Sequence, residues 1–467
     1  MKQVFCITLF LIIGLTASSQ NVTIKGTAPG AGGRFVTLTV TSDFLTETEQ
    51  TLARASIDST GSFTMTVPVD RTILGKVSID FHTADFFIEP GKDYQIRIAP
   101  YKYDDVKELN PFINSTNLQM ELLHLPSNDI NFILGEFDGV YNAFLVEHFN
   151  ELYRDHNRTL IDSLRAKITF SVGDQTDPYI KTYMEYKQAN VIQLVQFISK
   201  PMIAYTYFTS RPVLYDNIQY MDFFNSFFSK YMTATSMILK KNDYHALLSA
   251  QDPYSALMKA LTADTLLRPV KLRELVLLKG LMEMYNTATD DQRKIISVLN
   301  TIEQKGQEPQ ARLIATNIIK NLTRLQPGTP APLFNLRNRV NNGSVKLDSL
   351  RGKPVVVNFW TSYCEGCTNE MDLLKPIADK YKDKVLFISI SSESSRLRMR
   401  YYVDLKKNWD WTFLHIGDQI DILKDYDVRS LPLFVIIDKD GNIYKYSADF
   451  PSNGLENSIE QLLQSSK

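Results

Sequence analysis

The sequence predicts a multidomain chain: an N-terminal β-sandwich, a helical middle region and a C-terminal α/β domain. Three patterns carry this. Residues 36–40 and 63–67 read Val-Thr-Leu-Thr-Val and Phe-Thr-Met-Thr-Val, apolar and polar in strict alternation. Leu272, Leu275, Val276, Leu278 and Met282 recur at helical spacing. Val355-Val356-Val357-Asn358-Phe359 is a compact, β-branched run that suits a strand buried on both faces, and a helical pattern follows it.

At 467 residues the chain is too long for one ordinary core. Its composition, 44% hydrophobic and 22% charged, is that of a globular protein. A formal net charge of −1 and the lack of any long basic run argue against nucleic acid as a partner.

Residues 1–20 read as a signal peptide. Met1-Lys2 is a short basic start, Phe5 to Leu15 is apolar, and Thr16-Ala17-Ser18-Ser19-Gln20 supplies small residues for cleavage. Export to the periplasm is the expectation. Cys6 lies inside the apolar run, not just after it, which does not fit a lipidation signal. No other stretch could span a bilayer, so no transmembrane segment is expected in the processed chain.

Residues 21–105 form the expected β-sandwich, with turn signals at Asp58-Ser59-Thr60-Gly61 and Glu89-Pro90-Gly91-Lys92-Asp93. Residues 106–326 form the expected helical domain. Pro269 suits a helix start, where its missing N–H costs nothing. The aromatic run between Tyr205 and Tyr231 reads as core. Leu325-Gln326-Pro327-Gly328-Thr329-Pro330-Ala331-Pro332 breaks any helix and favours an extended linker. The last domain, 327–467, begins there.

Within it the pattern turns helical at Cys364-Glu365-Gly366-Cys367, so the cysteine pair sits at a strand-to-helix junction. A thiolate is the attacking species in thiol–disulfide exchange. The unpaired N–H groups and partial positive charge of a helix N-terminus favour ionisation of Cys364. Two intervening residues let Cys367 reach back to resolve a mixed disulfide. With Cys6 removed, these are the only cysteines of three, so no disulfide framework exists for them to belong to. A zinc site would need two further ligands. The domain has no second CxxC, and His415 is its only histidine. No metal or cofactor is expected.

Further strands are expected at 385–390, at 411–416, and on either side of the turn Asp438-Lys439-Asp440-Gly441, with a closing helix over 455–463.

Asn358-Phe359-Trp360, the CxxC pair and Leu431-Pro432 stand in the order found in thioredoxin-like domains, which the C-terminal region resembles. Pro332-Leu333-Phe334-Asn335-Leu336, Leu347-Asp348-Ser349-Leu350-Arg351-Gly352-Lys353 and Glu370 narrow the resemblance to exported TlpA/ResA-like thioredoxins. Strand, Gly61 turn, strand and Phe87-Ile88-Glu89-Pro90-Gly91 resemble the β-domain that often precedes thioredoxin domains in exported proteins of the Bacteroidetes type. The resemblance implies that Cys364 attacks and Cys367 resolves. It implies that Pro432 is a cis-proline facing the disulfide, that Glu370 is an acid near the site, and that Leu431, Trp360 and Tyr363 meet substrate.

The sequence also departs from the family. Asn358 stands where many thioredoxins carry a buried Asp, Tyr363 replaces a Trp, and Gly366 replaces a common proline. The proton-handling role of that Asp is then vacant or passes to Glu370. The expected function is an exported oxidoreductase that reduces protein disulfides and is recharged by an upstream thiol partner. Two alternatives carry other roles: a disulfide oxidant or isomerase, and a binding protein with a redox-sensing domain.

Overall fold

The computed structural model describes residues 19–100, 110, 112, 116–235, 241–338, 343–417 and 419–465. The expected signal peptide lies almost wholly outside the described residues. Nine strands come first: β1 Gln20–Thr27, β2 Phe35–Asp43, β3 Thr48–Ser56, β4 Ser62–Val69, β5 Ile73–Ile79, β6 His82–Ile88, β7 Tyr94–Ile98, β8 Thr116–Asn117 and β9 Met120–Leu123. They make two sheets, ordered β4-β1-β7-β9 and β3-β2-β5-β6-β8. Val22, Met65, Val67 and Ile96 of the first sheet share one core with Val36, Leu38, Val77 and Ile79 of the second.

Alternation sets the buried face. Phe63, Met65, Val67 and Val69 of β4 point inward, while the residues between them are exposed. The turn before β4 is held by the Asp58 carboxylate, which accepts from the N–H groups of Thr60 at 2.8 Å and Ser62 at 2.9 Å. Gly61 is required there: its φ is +85°, and a Cβ would lie 2.9 Å from the Ala28 carbonyl oxygen.

The β structure continues past residue 105, where the sequence places its end. β8 pairs with β6, and β9 pairs with β7. Both strands are too short, and β9 too evenly half-buried, to show a period of two. The first helix, Ile130–Glu147, starts at Asp129, whose carboxylate accepts from the Asn131 N–H.

The helices run to Pro309–Thr323. Tyr220, Phe208, Phe223 and Phe224 are fully buried, so most of the aromatic run is core, while Tyr205 at its start is exposed. The helical region is tied to the sheets at both ends. Asn131 bonds the backbone N–H and C=O of Phe87, and Asn317 donates to Asp43 at 2.6 Å.

The C-terminal strands are β10 Asn335–Asn338, β11 Ser344–Lys346, β12 Val355–Trp360, β13 Leu386–Ser391, β14 Thr412–His415, β15 Leu433–Ile437 and β16 Ile443–Lys445. They form one sheet ordered β11-β10-β14-β13-β12-β15-β16. β12 is buried along its whole length between parallel β13 and antiparallel β15, as its unbroken apolar run requires. The helix Glu365–Tyr381 leaves its C-terminal end.

The proline-rich segment is extended but not loose. Gly328 donates to the Ile443 carbonyl and Ala331 to that of Gly441, so the segment lies along the β15–β16 hairpin. The N-terminal sheets also dock on this domain. Phe81, at the β5–β6 turn, is buried in a cluster with Val355, Phe359, Tyr426 and Leu433. Lys424 reaches Glu49 at 2.9 Å, and Asn110, fully buried, donates to the Val428 carbonyl at 2.9 Å.

Candidate functional site

Cys364 is the N-cap of the helix Glu365–Tyr381, with extended backbone at φ −86° and ψ 95°. Its sulfur accepts from the Cys367 N–H at 3.1 Å, satisfying a donor that a helix start leaves free. Its carbonyl takes the first helical bond, from Thr368. Cys364 and Cys367 are joined as a disulfide with Cα atoms 5.1 Å apart. The two ends differ in access. Cys364 is half-buried, whereas Cys367 is wholly buried among Trp360, Met371, Met399 and Phe413. A nucleophile or disulfide from solvent can meet the first sulfur and not the second.

The Leu431–Pro432 peptide is cis. Leu431 packs on the cluster that holds both cysteines, and Pro432 is half-buried beside it. Tyr363, 43% exposed, presents its ring to the Arg398 guanidinium at 5.1 Å.

Trp360 needs correction. It is fully buried, edge-on to Trp409 at 5.8 Å and Phe413 at 6.0 Å, and offers no surface to a substrate. The strand explains this: Trp360 closes β12, whose two faces are both covered. It forms the floor beneath Cys367.

Glu370 also sits differently from expectation. Its carboxylate accepts from Ser452, at 3.0 Å from the N–H and 2.7 Å from the hydroxyl. Among the described residues it forms no hydrogen bond with either sulfur. It clamps the turn before the closing helix, Leu455–Ser465.

The carboxylate beside the cysteine loop that sequence reasoning missed is Glu393. It is fully buried, and one oxygen accepts from the Ser362 N–H, two residues ahead of Cys364. The other oxygen is buried with no hydrogen-bond partner. Burial pushes its pKa up, only partly offset by the bond from Ser362. His415 donates from Nε2 to the Glu393 carbonyl at 2.8 Å, because its Nδ1 is taken as acceptor by the Gly417 N–H. Burial pulls the His415 pKa down to about 4, so the ring is neutral near pH 7.

Asn358 is buried in β12, and its Oδ1 accepts from the Ser389 hydroxyl, which in turn accepts from Trp411 Nε1 at 2.8 Å. The position is polar but holds no titratable group. Among the described residues no group of three or more His, Cys, Asp or Glu stands ready for a metal ion.

A family model described as Redoxin matches residues 326–463. The thioredoxin-like protein YneN of Bacillus subtilis is 33% identical over 122 residues, 26% of this chain and 69% of the relative. The thiol-disulfide oxidoreductase ResA of Bacillus cereus is 31% identical over 122 residues, 26% of this chain and 68% of the relative. Among solved structures, a thiol:disulfide interchange protein from Bacteroides sp. is similar at 23% identity and a TM-score of 0.29. That match covers 31% of this chain and 95% of that one.

Proposed function

Because the chain belongs to the thioredoxin-like thiol–disulfide oxidoreductases, we propose that it works outside the cytoplasm and reduces disulfides in partner proteins. One observation carries the assignment of roles: the sulfur at the helix N-terminus is reachable, and its partner is sealed. In the reduced protein the Cys364 thiolate attacks a substrate sulfur and expels the other as a thiolate. Cys367 then loses its proton and attacks Cys364, which releases the second substrate sulfur. The protein ends as the disulfide and the substrate as the dithiol. A thiol donor upstream must return two electrons before the next cycle.

Leu431 and Pro432 hold an extended substrate segment in this reading, and Tyr363 flanks it. We assign the local proton traffic to Glu393 in place of Glu370. Its raised pKa brings a carboxyl nearer to working pH, where exchange of a proton is efficient. Ser362 joins it directly to the loop that carries Cys364.

The two N-terminal sheets form a sandwich in this account, and the chain divides near residue 20, between Leu123 and Ile130, and near residue 326. The N-terminal part also reaches the substrate side. Asn110 bonds Val428, and the Arg429 guanidinium lies 5.3 Å from the Phe112 ring, just ahead of Leu431. Export rests on the N-terminal sequence. Among the described residues no helix is long and apolar enough to cross a membrane.

The direction of electron flow is tested by equilibrating the full chain with glutathione buffers. A reductant has a potential of about −250 mV or below, and a disulfide donor one of about −120 mV. The second value would reverse the assigned direction.

A further inference from the structure

The helix Arg396–Leu405 turns an apolar stripe to solvent. One face is committed to the core: Met399 and Val403 are buried, and Tyr402 packs on Trp360 and Trp409. On the opposite face Leu397, Tyr401 and Leu405 recur every fourth residue. They are 77%, 68% and 62% exposed. At 1.5 Å per residue the three span about 12 Å in a line. A helix that packs on one side ordinarily shows polar residues on the other. Grouped large apolar side chains on a surface mark a place where something docks.

The helix that bears the stripe meets the loop of the reactive cysteine. Arg398, on the same helix, covers the ring of Tyr363, the half-exposed residue immediately before Cys364. The flanks are basic. Arg396, Arg398 and Arg400 lie on the helix, Lys406 and Lys407 follow it, and Asp404 is the single acid in that run. Lys406 is already paired with Asp372 at 2.8 Å, so the arginines carry the basic character. By helical spacing Arg398 borders the stripe on one side and Arg400 on the other. Among the described residues Arg398 has no carboxylate in ion-pair range. The Arg400–Asp404 pair is exposed and 3.8 Å apart, so it holds its charges weakly.

We propose that Leu397, Tyr401 and Leu405, continued by Tyr363, form the docking face for the disulfide-bearing partner protein, and that the partner offers an acidic segment with apolar side chains. The inference rests on the oxidoreductase reading and adds the class of substrate. Apolar contacts supply affinity, and the arginines supply steering and orientation. A bilayer would also match a basic, apolar helix face. It would, however, cover Tyr363 and close the approach to Cys364, so the position of the stripe favours a protein.

The test uses the full chain, reduced, with three probes. Two are twelve-residue peptides with one internal disulfide and several leucines, alike except that one carries glutamates where the other carries lysines. The third is 2-hydroxyethyl disulfide. At low ionic strength the glutamate peptide should be reduced about tenfold faster than the lysine peptide, and high salt should shrink the difference. Leu397→Ser/Tyr401→Ser/Leu405→Ser should slow the glutamate peptide about tenfold and leave 2-hydroxyethyl disulfide unaffected, with an unchanged melting temperature. Equal rates for the two peptides, or a triple variant as fast as the wild type, overturns the docking face. Binding to phosphatidylglycerol vesicles that the triple variant loses, without peptide selectivity, overturns it in favour of a membrane. If the wild type fails to reduce even 2-hydroxyethyl disulfide, the oxidoreductase reading itself falls and takes this proposal with it.

Discussion

The buried carboxylate of Glu393 accepts a hydrogen bond from the backbone N–H of Ser362, and so touches the loop that presents Cys364. One of its oxygens is satisfied and the other is not. A buried acid in that state favours its protonated form. In our proposal it gives or takes a proton next to the loop that carries Cys364.

Glu393→Gln keeps the size and the bond to Ser362 but cannot exchange a proton. We expect release of the mixed disulfide to slow by about 10²-fold, a general acid–base magnitude, and the initial attack to slow much less. Stopped-flow measurement of both steps across pH 5–9 checks this. Identical profiles for variant and wild type would remove Glu393 from the mechanism. The same measurement on Glu370→Gln should show no such split, because Glu370 is bound to Ser452.

Two neighbouring groups give opposite pH dependences of stability. Glu393 has a raised pKa, so the folded state holds its proton more tightly than the unfolded chain does. Its contribution is present below the ordinary glutamate value and is lost as pH rises through the raised one. His415 is lowered to about 4 from an ordinary 6.5. Its contribution is present above 6.5 and is lost as pH falls towards 4. Full protonation of His415 costs about 3.5 kcal/mol at most, from about 1.4 kcal/mol per unit. Urea denaturation from pH 4 to 7 should show wild-type stability falling at the acid end, and His415→Gln should flatten that fall. A fall as steep in the variant would assign it to other groups.

The reactive pair is legible in the sequence because everything that places it is local. A buried strand, a short loop, two cysteines and an amphipathic helix follow one another in about thirty residues. Glu393 is not legible from the Ser391-Ser392-Glu393 run, which reads as an ordinary loop. The signal lies in sheet register. β12 and β13 are parallel, with Trp360 opposite Ser391, so the residue two beyond each strand end is Ser362 on one side and Glu393 on the other. No periodicity states that register without the pairing. Trp360 misleads for a related reason: its position in a motif says that it belongs to the site, but only burial shows that it lies beneath it.

The prolines overstate the independence of the last domain. Phe81 comes from the N-terminal sheets yet is buried in the core cluster of the C-terminal domain. A single aromatic at a hairpin tip carries no sequence sign of where that tip docks. Phe81→Ala in the full chain should cost about 3 kcal/mol, the usual loss for a buried phenylalanine, read by urea denaturation of the C-terminal domain. The fragment 328–467 should fold but melt below the same domain in the full chain. Equal melting temperatures would mean that the docking contributes nothing.

The central claim is that Cys364 reacts and Cys367 waits. Timed alkylation of the reduced full chain with iodoacetamide near pH 7, followed by mass spectrometry of the peptide that holds both cysteines, tests it directly. The accessible N-cap sulfur should be carboxamidomethylated first, by about tenfold or more, since thiolate fraction and access both favour it. Modification of Cys367 at an equal or faster rate would contradict the assignment.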